Sequence, residues 1–187
     1  MGLGTIVLGG IVLIGIFGVV TYNSLIRRRN MVDQSFSTID VQLTQRYDLI
    51  PKLIETVKQY MTHERGLLEE IVRLRSQAVA AREPGDKIRA DNELSRAMGQ
   101  LNVTMENYPQ LKASDTFVML QRSLNEVEEQ LAAARRSYNA AVTDYNNSVQ
   151  TFPSSFVANG MGFELRQTFV ADEAKRKDVD VKALFKA

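Results

Sequence analysis

The sequence predicts an all-α protein in which one N-terminal membrane-spanning helix precedes an up-down antiparallel four-helix bundle with long, coiled-coil-like helices. Two observations support this prediction. The first 26 residues contain no charged side chain, and after them apolar residues recur at intervals of three and four. Those intervals place apolar side chains on one face of an α-helix, whereas a half-buried strand alternates every second residue.

Residues 1–26 form the predicted anchor. Ile, Val, Leu, Gly and Phe dominate the stretch 3–22, and about 20 such residues in a helix span roughly 30 Å, the hydrocarbon thickness of a bilayer. Tyr22 lies where an interfacial aromatic belongs. Three arginines follow at headgroup depth: Arg27, Arg28 and Arg29. A cleaved signal peptide is the alternative, but it needs a basic start and a shorter apolar core.

Small residues share one face of the predicted anchor. At about 100° per residue, Gly4, Gly15 and Gly18 fall within one arc of about 60°. Small residues let helices approach closely in lipid, where packing drives association. We therefore expect this face to mediate self-association or docking to another membrane protein. The alternative is the ordinary tolerance of glycine in membrane helices, since no two of these glycines are four residues apart.

Residues 27–157 form the predicted bundle. Four apolar seams define its helices: residues 32–47, 50–81, 88–108 and 117–152. No Gly or Pro lies between Val19 and Ile50, so the anchor and the first helix can form one continuous rod. We expect Pro51 to kink this helix or to begin the next one, because proline lacks an N–H group. Residues 158–187 are expected to be a weakly ordered tail.

Composition argues against several functional classes. The formal net charge of +1 gives no field that would attract nucleic acid. The chain has no cysteine and a single histidine, which removes thiol chemistry and nearly every histidine-based metal site. His63 and Glu64 lack the second histidine that a zinc-protease helix requires. We therefore expect no enzymatic activity, cofactor, metal or small-molecule substrate.

Several short segments occur in a fixed order. They are Arg46-Tyr47-Asp48-Leu49-Ile50-Pro51, Glu106-Asn107-Tyr108-Pro109, Arg135-Arg136-Ser137-Tyr138-Asn139, Tyr145-Asn146 and Phe152-Pro153. In this order they closely resemble the LemA family, over about residues 20–160. The resemblance implies a helical bundle at a bacterial membrane, here the inner membrane, and it names no reaction.

Polar residues flank the predicted kink at Pro51. They are Asp40, Arg46, Asp48 and Lys58. One interpretation is a partner-binding notch at the bend. The other is a network that satisfies the backbone groups freed by the proline, because freed carbonyls need partners.

Two Tyr-Asn pairs lie on one face of the last long helix. Tyr138 and Asn139 precede Tyr145 and Asn146 by seven residues. Asparagine beside a heptad seam commonly fixes the register of helix packing. We expect that structural role, with a ligand-binding stripe as the alternative.

The distribution of charge also predicts the topology. Three arginines follow the apolar stretch and none precedes it, so the positive-inside rule places the bundle in the cytoplasm. Some LemA relatives resemble lipoproteins, which would place it outside. The leading functional hypothesis is a single-pass, membrane-anchored, non-enzymatic scaffold or adaptor that self-associates or binds other membrane proteins. The alternative is a signal-transducing bundle that works with a membrane sensor or protease.

Overall fold

A computed structural model describes residues 2–169 of the chain. In this part of the protein all regular structure is helical. The helices are α1 (Leu3–Lys58), α2 (Arg65–Ala80), α3 (Pro84–Thr104), α4 (Pro109–Lys112), α5 (Asp115–Gln150) and α6 (Ser154–Gly160), with a 3₁₀ turn at Met105–Asn107. The all-α class is confirmed, as is a long apolar N-terminal helix followed by further helices. The exact arrangement of the predicted bundle remains a prediction.

Helix α1 contains 56 residues, which corresponds to a rod of about 84 Å. Its first part, up to about residue 24, exposes its apolar side chains and is a candidate membrane span. From Leu25 onwards the same helix contributes buried side chains to the protein core, including Val32, Ile39 and Leu43. One helix therefore serves both the apolar N-terminal part and the bundle.

Helices α1 and α5 pack along each other in opposite directions. Ion pairs and a ring contact connect the two helices, and as the residue number increases along α1, the number of its partner on α5 decreases. They are Arg28 with Asp144, Phe36 with Tyr138, and Arg46 with Glu128. Helix α2 packs mainly on α3, and it also contacts α1. The apolar faces of these helices meet in one continuous core.

The first helix break lies at residues 59–64 rather than at Pro51. The seam predicted over residues 50–81 is therefore divided, its first part belonging to α1 and its second to α2. Neither Gly nor Pro marks this break. Met61 is buried in the core, and its N–H donates to the carbonyl of Val57 at 2.9 Å. Burial of Met61 thus stabilises a turn that local sequence signals do not predict.

Helix α1 continues through Pro51 because another helix replaces the missing donor. Proline has no N–H group, so the carbonyl of Tyr47, four residues earlier, loses its partner within the helix. The Arg75 Nε group on α2 donates to this carbonyl at 2.6 Å. A partner for the freed backbone group was expected, but Arg75 was not among the residues considered for it.

We predict that the cost of losing Arg75 depends on Pro51. Arg75→Met should lower the free energy of unfolding by about 1–2 kcal/mol, because the Tyr47 carbonyl is left without a partner. In a Pro51→Ala background the restored N–H should serve that carbonyl, and the same substitution should cost much less. Chemical denaturation of the full chain in detergent measures both values. Arg73→Met, on the exposed face of α2, is the control, and equal losses in the two backgrounds would contradict the assignment.

Candidate functional site: a Tyr-Asn clasp and a buried charge cluster

Two asparagines on α5 hold an extended segment at residues 163–169. Asn146 Nδ2 donates to the carbonyl of Arg166 at 2.8 Å, and the Arg166 N–H donates to Asn146 Oδ1 at 2.9 Å. Asn139 makes the same pair of bonds with Phe169, at 2.9 and 2.8 Å. Each amide side chain thus binds both backbone groups of one residue.

The tyrosine beside each asparagine adds a third bond. The Tyr145 hydroxyl donates to the carbonyl of Glu164, and the Tyr138 hydroxyl donates to the carbonyl of Gln167, both at 2.9 Å. We call Tyr138, Asn139, Tyr145 and Asn146 the Tyr-Asn clasp. All six bonds reach main-chain atoms, so through them the clasp recognises an extended backbone rather than particular side chains.

The spacing of the clasp explains why the two pairs act together. Seven residues of an α-helix advance about 10.5 Å. Three residues of extended chain advance about 9–10 Å. The two asparagines are seven residues apart, and the residues they bind, Arg166 and Phe169, are three apart. The heptad repeat of α5 therefore matches a three-residue repeat of segment 163–169, which runs antiparallel to the helix.

Aromatic packing accompanies the hydrogen bonds of the clasp. The ring of Tyr138 makes edge contacts with Phe36 at 5.7 Å and with Phe169 at 5.6 Å between centroids. Tyr138, Tyr145 and Phe169 are buried. Burial raises the pKa of the Tyr138 and Tyr145 hydroxyls further above neutral pH, where an ordinary tyrosine is already a protonated donor.

The clasp revises two expectations. Asn139 and Asn146 were expected to fix the register of helix packing, but their side chains bind segment 163–169 instead. Weak order was expected for residues 158–187. Of these, the structure describes residues 158–169, and segment 163–169 is held against α5. Residues 170–187 lie outside the described residues.

A second polar feature is a charge cluster in the core. Asp91 on α3 has no exposed surface, and Arg46 on α1 is 2% exposed. Arg46 Nη1 lies 2.8 Å from Asp91 Oδ1, and Arg135 on α5 pairs with the other carboxylate oxygen. Arg46 Nη1 also donates to the Ser95 hydroxyl at 2.9 Å, and its Nε forms an ion pair at 2.7 Å with Glu128. The cluster therefore ties three helices together with two cations and two anions.

Tyr47 belongs to the same cluster. Its hydroxyl donates to Asp91 Oδ1 at 3.4 Å. Burial, and next the Asp91 carboxylate, raise the pKa of Tyr47 well above its usual range. A phenol held protonated between paired charges is suited to support a fold rather than to transfer protons.

The four polar residues around Pro51 do not form one notch. Asp40 pairs with Lys87 on α3, and Asp48 lies 4.0 Å from Arg75 on α2. Lys58 lines a groove of about 500 Å³ between α1 and α2 at the end of α1 farthest from the apolar segment. Helix geometry explains this separation. Arg46 and Asp48 point about 160° apart, and Lys58 is about 27 Å along the helix from Asp40.

Of the residues predicted to act in the anchor, the glycines face open space and Tyr22 contacts another part of the protein. A Cβ atom added at Gly4, Gly15 or Gly18 would meet open space, so this face is uncovered by the described part of the chain. The ring of Tyr22 packs edge-on against Phe163, at 5.8 Å between centroids.

The three arginines after Tyr22 divide their contacts. Arg27 is exposed. Arg28 pairs with Asp144 on α5, and Arg29 lies over the ring of Phe163, 5.8 Å from its centroid. Two of the three therefore also contact protein, which their position after the apolar stretch did not indicate.

Within the described residues, no group of three or more His, Asp or Glu side chains is placed to hold a metal ion. The features that could carry a function are the clasp, the charge cluster and the largely apolar groove at Lys58. The fold and these features define a class: helical proteins with a candidate N-terminal membrane span that is continuous with a packed helical domain.

Comparison with known proteins identifies the family. Residues 35–183 match the LemA family, and the chain belongs to that family. It is 28% identical over 163 residues to Protein LemA of Metamycoplasma hominis, which covers 87% of this chain and 74% of that protein. Over 80 residues it is 34% identical to Magnetosome protein MamQ 2 of Paramagnetospirillum magneticum and 30% identical to Magnetosome protein MamQ of Magnetospirillum gryphiswaldense. These 80 residues cover 43% of this chain and 29% of either MamQ protein. The resemblance to the LemA family is therefore confirmed.

We predict that the clasp, rather than helix packing, depends on the two asparagines. Asn139→Leu with Asn146→Leu should release segment 163–169, because each asparagine contributes two hydrogen bonds worth about 1 kcal/mol each. Amide hydrogen exchange at Arg166 and Phe169 should accelerate by roughly 30-fold or more. Mass spectrometry of the full chain measures this change. Asn125→Leu with Asn147→Leu, on exposed positions of the same helix, is the control. A loss of α1–α5 protection with segment 163–169 still protected would favour the register role.

We predict that Asp91 is required for stability. Asp91→Asn should lower the free energy of unfolding by about 3–5 kcal/mol, because the buried Arg46 would keep only the partly exposed Glu128 as an anion and Arg135 would lose its carboxylate partner. Asp86→Asn on the same helix removes an exposed ion pair with Arg89 and should cost less than about 1 kcal/mol. Denaturant titration followed by circular dichroism compares the two variants, and equal effects would contradict a supporting role for the cluster.

Proposed function

We propose that this protein is a membrane-anchored, non-enzymatic scaffold or adaptor, which binds other membrane proteins or further copies of itself. The observation that supports this proposal is the continuity of α1. Its N-terminal part exposes apolar side chains, and its remainder is a core helix of the folded domain.

The exposed part of α1 needs a cover other than water. Ile6, Leu8, Leu13 and Ile14 are each about two-thirds exposed or more, as in an isolated helix. An apolar patch that surrounds a helix over roughly 30 Å is far larger than soluble proteins tolerate. A lipid bilayer covers such a surface in full, and the backbone of an α-helix has no unsatisfied groups within it. The similarity to the MamQ proteins supports membrane association.

The rod transmits the orientation of the anchor to the folded domain. No Gly or Pro offers a hinge between Val19 and Ile50, and Arg75 stabilises the helix beyond that point. From Leu25 to Lys58 the helix rises about 50 Å. A domain held at a fixed height and angle is suited to positioning partners beside a membrane.

The open glycine face suggests how the anchor engages partners. Gly4, Gly15 and Gly18 leave room for another helix to approach. We propose a second copy or another membrane protein there, and we propose no nucleic acid or small-molecule partner. The three arginines after the apolar segment favour a cytoplasmic domain on the inner membrane of a bacterium.

A signal-transducing role is the second candidate. Arg46 lies on the same unbroken helix as the anchor and enters the buried cluster with Asp91 and Glu128. A shift or rotation of the anchor by a sensor or protease partner would therefore strain contacts between three helices.

One experiment tests both anchoring and association. The full chain should stay with bacterial membranes after alkaline extraction, because its anchor spans the bilayer. Gly15→Leu with Gly18→Leu should disrupt a cross-linked oligomer, because the added side chains block close helix approach. Gly9→Leu with Gly10→Leu, which lie off the glycine arc, should not. Release by alkali would refute the anchor, and equal cross-linking of both variants would refute the glycine interface.

A further inference from the structure

Large apolar side chains are exposed beside the end of α5. Phe152 is 74% exposed, Phe156 is 73% exposed and Met161 is 65% exposed. The two phenylalanine rings pack edge to face, with centroids 5.8 Å apart. We call these three residues the Phe152 patch. None of them contributes to the clasp.

The fold directs this patch outward. Helix α5 ends at Gln150, and Phe152-Pro153 leads into the short helix α6, which packs on α5 and α1. Ala158 of α6 has no exposed surface. Phe156 lies two residues away, about 160° around the helix axis. The side of α6 that faces the protein therefore carries the small, buried Ala158, whereas the opposite side carries the exposed ring of Phe156.

The patch lies level with the end of the apolar segment of α1. Arg28 pairs with Asp144 across the antiparallel helices. Gln150 lies six residues after Asp144, and Tyr22 lies six residues before Arg28. Both steps cover about 9 Å in the same direction, because the helices are antiparallel, so Gln150 lies level with Tyr22. The contact between Tyr22 and Phe163, just after α6, agrees with this level.

Charge is absent from both chain segments at this level. No charged side chain occurs between Asp144 and Glu164, nor before Arg27. A surface exposed only to water rarely combines exposed phenylalanines with so long an uncharged stretch. The interfacial layer of a bilayer, in contrast, favours aromatic rings beside polar uncharged groups.

We propose that the Phe152 patch inserts into the interfacial layer of the bilayer and forms a second membrane contact beside the anchor. This inference rests on the proposed membrane-spanning role of α1. We assign lipid as the cover of the Phe152 patch, because the patch lies level with the end of the exposed apolar surface of α1. A single helix can rotate about its axis, whereas two contacts fix its rotation and tilt. The domain then presents a constant face to partners along the membrane.

The absence of tryptophan permits a direct test. Single variants Phe156→Trp, Phe17→Trp and Met119→Trp of the full chain are reconstituted in phosphatidylethanolamine–phosphatidylglycerol vesicles. The vesicles carry lipids brominated either near the headgroup or near the acyl-chain end. Met119 is exposed near the opposite end of α5 and serves as the matched control.

We expect the fluorescence of Phe156→Trp to fall at least twofold with bromine near the headgroup, and Phe17→Trp to respond more to deep bromine. Met119→Trp should not respond. An unquenched Phe156→Trp beside a quenched Phe17→Trp would overturn the second contact and leave the anchor standing. No quenching at either position would overturn the proposed anchor itself.

A protein occupant would give a different result. If Phe156→Trp were shielded from water but not quenched, and became exposed when the protein was diluted with lipid, the patch would be a contact between copies. That outcome would overturn the lipid assignment. Met161→Trp provides a second position on the patch, and it should show the same preference for bromine near the headgroup.

Discussion

The continuity of α1 is the constraint on which the rest of the structure depends. An α-helix satisfies its own backbone hydrogen bonds, so one helix can pass from lipid to a protein core without changing conformation. Only its side chains change, from exposed apolar residues before Leu25 to a buried stripe after it. Pro51 is the weak point of this rod. Arg75 removes the weakness by binding the Tyr47 carbonyl, so the stability of α1 depends on the packing of α2.

Helix α5 makes polar contacts at two levels along its length. At one level, Glu128 and Arg135 join the buried charges of α1 and α3. Farther along the helix, the Tyr-Asn clasp binds segment 163–169. A buried ion cluster is costly to desolvate and adds less stability than apolar packing of equal volume. The two oxygens of Asp91 take one arginine each, so the cluster links α1 and α5 through α3.

The sequence predicted what local periodicity determines and missed what distant contacts determine. Apolar spacing indicated the helical class and the long first helix, because each seam depends on neighbours three and four residues away. The break at residues 59–64 carries no local signal, since it depends on the burial of Met61. Asn139 and Asn146 were correctly placed on one face. Their partner could not be found, because segment 163–169 has no periodic pattern and pairs with them only in the folded chain.

Segment 163–169 extends from the end of the apolar part of α1 to the buried charge cluster. At one end, the ring of Phe163 contacts Tyr22 and Arg29, where α1 leaves its apolar part. At the other, the ring of Phe169 lies 5.3 Å from the guanidinium of Arg135, which also pairs with Asp91. The clasp between these two rings binds only main-chain atoms, and it fixes the position of the segment. The rings of Phe163 and Phe169 then make the contacts at either end. Tyr22 and the buried charges are therefore connected twice, along α1 itself and along this segment.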